Sequence, residues 1–155
     1  MNINTLTAAL KTAIADDAAI TSWCTTNYSQ DITIYINLDL TDPPQETNCP
    51  YVVIYPIGKQ VGEMTSPKRH NFELIACIYD ATSTTTDNVV EYAGVENIES
   101  LRKLIETAVI GATMGTAWVA EIIVEYETVE NFPFIMAAMS IGILENVMIG
   151  GDYLE

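Results

Sequence analysis

Side chains able to do chemistry are unevenly supplied in this sequence. There is one histidine, three cysteines and 21 Asp+Glu against six Lys+Arg. His70 would have to serve alone in any triad or two-histidine metal site, and both need partners that the sequence lacks. It follows Lys68 and Arg69 at a loop-to-strand junction and reads as an exposed turn residue. Cys24, Cys49 and Cys77 are spaced outside any zinc pattern, and their odd number argues against a disulfide framework. They read as reduced, buried thiols. Asn37, Asp39, Asp42 and Glu46 could gather at a strand end around a divalent cation, but the glycine-containing calcium-loop spacing is missing and a solvated strand face explains them as well. Glu121, Glu125 and Glu127 alternate along one segment. That row suits the wet face of a sheet, a pair of hydrolase carboxylates, or a negatively charged lining.

Phosphate-binding loops are missing. No Gly-Lys-Ser/Thr and no Gly-x-Gly-x-x-Gly occurs, and Gly111 and Gly115 follow a helical segment rather than a strand. The expectation is therefore a protein that is not an enzyme, with no cofactor, no metal and no catalytic residue. One cluster stands apart from the acidic background. Lys59, Lys68 and Arg69, half of all the cations, fall in the polar stretch 58–69. They suit either an ordinary solvated hairpin or a contact with an acidic partner, including a second copy of the chain.

The elements that must position these residues follow from periodicity. Leu6, Ala9, Leu10, Ala13 and Ile14 predict a helix to about Ala15, capped by Asn4 or Thr5. Asp16 and Asp17 introduce a second short helix whose apolar stripe is Ile20, Trp23 and Cys24. The period then becomes two, and residues 32–40 predict a strand with Ile and Leu at even positions, ended by Pro43 and Pro44. Residues 50–55 are apolar on both faces, which predicts a central strand closed by Pro56 and Gly58. A third strand runs from His70 to Tyr79 with Phe72, Leu74, Ala76 and Ile78 on one face, and residues 80–88 read as a loop. The strongest helix spans about Glu96 to Val109, with Asn97 as its cap, Val95 and Ile98 among its apolar residues, and Glu99 four residues before Lys103. Strands at Trp118–Glu127 and Phe134–Leu144 close the chain, the second with Gly142 at a bulge, and residues 150–155 read as a mobile tail. The fold class is α+β: a single domain over residues 1–155, a two-layer sandwich in which a long helix and an N-terminal helix cover an antiparallel or mixed sheet of about five strands.

Composition excludes several roles. Of 155 residues, 49% are hydrophobic, so a packed core is expected. The formal charge is -15, although only 17% of residues are charged, compared with a usual ~25%. Cations, rather than neutral residues, are what the chain has lost. Binding to nucleic acid by phosphate neutralisation and binding to an anionic membrane surface both need Lys and Arg. The opening residues Met1 to Asn4 carry no basic leader, and no apolar run reaches ~18 residues. The expectation is a soluble protein made in the cytosol.

The order of these segments resembles that of the tail terminator (tail completion) proteins of long-tailed phages. The matching stretches are the N-terminal helix and Asp42-Pro43-Pro44-Gln45, then Cys49-Pro50-Tyr51-Val52-Val53-Ile54-Tyr55-Pro56 leading into a core strand. The polar hairpin, Phe72-Glu73-Leu74-Ile75-Ala76, the helix from Ile98 to Ile105, and the closing strands around Asn131-Phe132-Pro133 complete the match. Tyr92-Ala93-Gly94 does not fit the pattern. The resemblance rests on order, size and hydrophobic texture, and it supplies no site residues. It implies a virion protein assembled in the host cytoplasm and placed in the neck region. Such proteins form a ring, commonly hexameric, at the head-proximal end of the tail tube. Its partners would be copies of itself, the tail tube protein and the head-tail connector, with DNA passing through the lumen without specific binding and no membrane involved. Another head-tail joining protein, a tail tube subunit, a small acidic metal-dependent enzyme and a partner-binding adaptor are the alternative readings.

Overall fold

The computed structural model describes residues 1–39, 41–60, 67–127 and 132–146. Helix α1 (Ile3–Ala15) is capped by Asn2, whose side chain accepts a 2.8 Å bond from the Thr5 amide. The cap thus lies ahead of the expected Asn4 or Thr5, and both of these sit inside the helix. Asp17 caps α2 (Ala18–Tyr28) as expected, accepting 2.9 Å bonds from the Ala19 and Ile20 amides.

Strand β1 (Thr33–Ile36) is shorter than the alternation predicted. Asn37 ends it by taking a left-handed conformation (φ 60°), which diverts the chain from the sheet. Leu38 then packs under the sheet instead of extending it, and Leu40 lies outside the described residues. Residues 37–50, with a single 3-10 turn at Glu46–Asn48, form the crossover that a parallel pair requires. Strand β2 (Tyr51–Gln60) does not stop at Pro56 and Gly58. A bulge at that point absorbs Ile57, and pairing with β3 (Lys68–Tyr79) resumes at Gly58–Asn71.

The stretch 80–88, expected to be a loop, holds β4 (Ser83–Thr86), which pairs with β5 (Val89–Tyr92) just beyond it in a hairpin. Its β-branched Thr and Val residues favour extended backbone, and Asp87 turns the chain at φ 55°. Helix α3 (Gly94–Ile110) begins earlier than expected, and Asn97 is not its cap. The Asn97 side chain donates a 2.8 Å bond to Asp80, whose other oxygen accepts from the Thr82 amide and hydroxyl. Gly94 makes this entry possible, because a Cβ there would lie 2.0 Å from Cδ1 of Ile135. Val95, one helical step of 100° further on, therefore points away from the sheet and is exposed rather than buried.

Strands β6 (Ala117–Glu127) and β7 (Phe134–Glu145) complete a five-stranded mixed sheet in the order β1-β2-β3-β7-β6. The bulge expected at Gly142 lies across from it, between Val119 and Glu121 of β6. The extra residue changes the parity of β6, so that Val119 joins Ile122 and Val124 against the core while Trp118 is exposed.

All three helices pack on one sheet face, giving the α+β two-layer sandwich. The main core joins Leu6, Leu10 and Ile14 of α1 and Ile98, Leu101 and Ile105 of α3 to Ile54, Phe72, Leu74 and Met139 of the sheet. On the opposite face a smaller cluster of Cys49, Tyr51, Val53 and Cys77 is covered at one end by the β1–β2 crossover. This is why β2 and β7 are apolar on both sides. All three cysteines are free and buried, and burial pushes the Cys24 thiol up to about 12. Arg102, buried on α3, binds Glu99 and Glu106, and Glu99 also accepts from the Tyr126 hydroxyl of β6. Those bonds, with Lys103 at 3.0 Å, hold the Glu99 carboxyl well below the usual range.

Candidate functional site

The cations singled out in the sequence lie on the paired ends of β2 and β3, flanking residues 61–66, which fall outside the described set. In the register, Lys59 faces His70, Gln60 faces Arg69, and Lys68 faces Glu145. Opposed residues share a face, and successive residues alternate. Lys59 and Lys68 therefore lie on the helix-covered side, and Arg69 on the other. The cations share one end of the sheet but do not form one patch.

Arg69 is engaged within the chain. Its Nε donates a 3.0 Å bond to Asn71, and Nη2 pairs with Glu121 across β7. The guanidinium crosses Gly142, where a Cβ would lie 2.6 Å from Nη2. Gly142 is thus explained by an overlying side chain rather than by a bulge of its own. Ile57, Ile123 and Ser140 flank this ion pair and form with it a shallow groove of about 310 Å³.

His70 is fully buried, contrary to the exposed turn position expected for it. The strand begins two residues before His70, which places the ring under the sheet next to Phe72 rather than in the turn. Nε2 lies 3.2 Å from Oε2 of Glu145, and the other Glu145 oxygen accepts from the Met1 ammonium. Nδ1 of His70 has no partner among the described residues. The Met1 ammonium, aided by His70 and by the charge of Lys68, keeps the Glu145 carboxyl below its ordinary range despite burial. This cluster ties the chain start, β3 and β7 together. A signal for it was present, because even-numbered parity puts His70 on the face of Phe72, Leu74, Ala76 and Ile78.

Other chemical candidates are drawn into local structure. Asp39 accepts a 2.9 Å bond from the Thr41 amide and a 2.6 Å bond from its hydroxyl, which lowers its pKa and stabilises a turn. Among the described residues no group of three or more His, Cys, Asp or Glu is placed to hold a metal ion. Glu121 and Glu125 lie on the exposed face of β6, and nothing is described of the Glu127 side chain. A shallow trough of about 570 Å³ runs between α1 and α3, lined chiefly by small side chains such as Ala9, Thr12 and Ala108. Asp16 and Asp17 also line it. No described helix is long and apolar enough to cross a membrane.

The sheet end opposite the cations carries the β4–β5 hairpin, every residue of which is exposed. Val89, Val90 and Tyr92 are 56%, 53% and 50% accessible. Tyr92 stacks edge-on against Phe132 at 5.1 Å between ring centres, and the Ala93 amide donates to the Thr82 carbonyl at 3.2 Å. The molecule thus carries an exposed apolar hairpin at one end and lysines at the other.

No protein-family model matches the sequence, and no curated protein matches it. Among solved structures, the fold is similar to that of a chain in the virion of a native gene transfer agent particle. The TM-score is 0.58, at 14% identity, over 90% of this chain and 93% of that one. The likeness is therefore one of whole-chain fold alone.

Proposed function

We propose that this chain is a structural protein of a phage-like virion and acts without catalysis. The observation carrying the proposal is the end-to-end fold likeness to a virion chain. Within that class, the order of elements favours the tail terminator role. Copies of the chain form a ring, hexameric in this reading, at the head-proximal end of the tail tube. One side of the ring ends tube polymerisation and the other receives the head-tail connector. The charge of -15 suits a lumen through which DNA slides without being held. Lys59, Lys68 and Arg69 belong to its contact end, the two lysines as partner contacts and Arg69 also as the brace of that end through Glu121. Localisation follows from the role: the neck of the virion, after assembly in the host cytoplasm.

Deleting the coding sequence from a particle-producing strain tests this role. Tails of irregular, extended length and heads without attached tails are the expected outcome. Complete loss of tail tubes would mark the chain as a tube subunit, and normal particles would remove it from the tail altogether.

A further inference from the structure

The β4–β5 hairpin is poorly accounted for by the fold that carries it. Two strands alone are marginal in water, and this pair buries none of its side chains while holding Val89, Val90 and Tyr92 half exposed. An apolar arm of this kind is completed by a surface that covers it. Its charge narrows the choice of surface. From residue 80 to residue 98 the chain carries Asp80, Asp87, Glu91 and Glu96 and no Lys or Arg.

Cations able to meet those carboxylates are few. Arg69, Arg102 and Lys103 are paired with Glu121, with Glu99 and Glu106, and with Glu99. Lys11, Lys59 and Lys68 have no ion pair among the described residues; Lys11 stands alone on α1, whereas Lys59 and Lys68 share one end of the sheet. Ile57, at the β2 bulge two residues before Lys59, is 59% exposed and lines the groove on the Arg69–Glu121 face. This end of the sheet thus carries unpaired positive charge on its helix-covered side and an apolar residue on the other, and a partner meets both by straddling the end.

The two surfaces cannot meet within one molecule. Lys68 opens β3 and Tyr79 ends it just before the hairpin, so about 35 Å of extended strand separates them. A contact between unlike patches at opposite ends is heterologous, the type that generates cyclic assemblies when the rotation closes. We propose that the hairpin of one subunit docks on the Ile57–Lys59–Lys68 end of the sheet in the next copy, with Asp87 and Glu91 facing the two lysines. This contact rests on the ring proposed above and names the surfaces that build it.

Zero-length carbodiimide cross-linking of an equal mixture of ¹⁴N- and ¹⁵N-labelled full-length protein tests it. The oligomer fraction should yield mixed-isotope peptides joining Lys59 or Lys68 to Asp87 or Glu91, and the monomer fraction should not. Lys59→Glu and Glu91→Lys should each weaken assembly by at least tenfold, and the double variant should recover most of that loss. Rings whose links join other residues, with assembly unchanged in both single variants, would overturn the docking and leave the ring intact. Failure to form any oligomer, up to the highest soluble concentration and on added tail tubes, would overturn the ring and the docking together.

Discussion

Replacing Glu145 with alanine is expected to destabilise the fold by about 3 kcal/mol, the loss typical when one member of a buried charged pair is removed. Melting should fall by roughly 6–12 °C for a chain of this size. The reason lies in what remains. His70 keeps an imidazole that is fully buried, now with neither nitrogen partnered among the described residues, and the Met1 ammonium loses its carboxylate. Glu145→Gln should lose less, because the amide oxygen can still accept a hydrogen bond. The pH dependence has a definite sign. The Glu145 carboxyl lies lower in the folded chain than its value near 4.3 in the unfolded one. Its contribution is therefore complete above about pH 4.3 and disappears as the pH falls through the folded value. Urea midpoints measured from pH 7 to pH 3 should show a shallower acid slope in Glu145→Gln than in the parent. Glu99, also lowered, keeps part of that slope in both proteins.

Phe72→Ala should have the largest effect of any single core truncation on β3, about 3–5 kcal/mol. Phe72 is the largest of the fully buried side chains, in the middle sheet strand and beneath the helices. The cavity would be bounded by sheet backbone on one side, which cannot collapse into it. Phe72→Leu, closer in volume, should cost less than about 1.5 kcal/mol. Ile123→Ala, on the exposed face of β6, should stay within about 0.5 kcal/mol. Equilibrium urea unfolding separates these cases, with the midpoint moving and the slope unchanged. A loss below 1 kcal/mol for Phe72→Ala would contradict the placement of the core under β3.

Much of the fold could be read from periodicity, and the failures have physical causes. The 3.6-residue stripes of α1 and α3 and the parity of β3 are long enough that tertiary context does not override them. Residues 32–40 show the limit: a clean alternation of nine residues yields a four-residue strand, because Asn37 leaves the sheet to begin a crossover. The hairpin is not legible in the sequence, since Thr and Asn compose loops as readily as exposed strands. Its extended backbone serves no core, so no hydrophobic pattern announces it. Bulges are harder still. Ile57 and Ala120 reset parity without any residue type that demands it, and so simple alternation through β6 would put Trp118 on the face of Ile122 and Val124, whereas it is exposed.

The site was legible in part. The cations at 59, 68 and 69 do gather at one end of the sheet, as their closeness in sequence suggested. Their division between two faces follows from strand pairing, which linear spacing does not reveal. The charged neighbours of His70 point to a turn and its parity with Phe72 points to the core, and in the fold parity prevails. Glu145, 75 residues away, could not be matched to it without the β3–β7 register.

The same division sharpens the functional reading. The proposed head-to-tail contact needs two different surfaces on each copy, and the hairpin and the Lys59–Lys68 end lie at opposite ends of β3. A tube subunit and a terminator could both use such surfaces, but they differ in what they build. Electron microscopy of the purified full-length protein at high concentration, with and without preformed tail tubes, tests the central claim most directly. Discrete closed rings, free or as a single layer on one end of each tube, are the expected result. Open filaments, or tubes lengthened by successive layers of this chain, would contradict it.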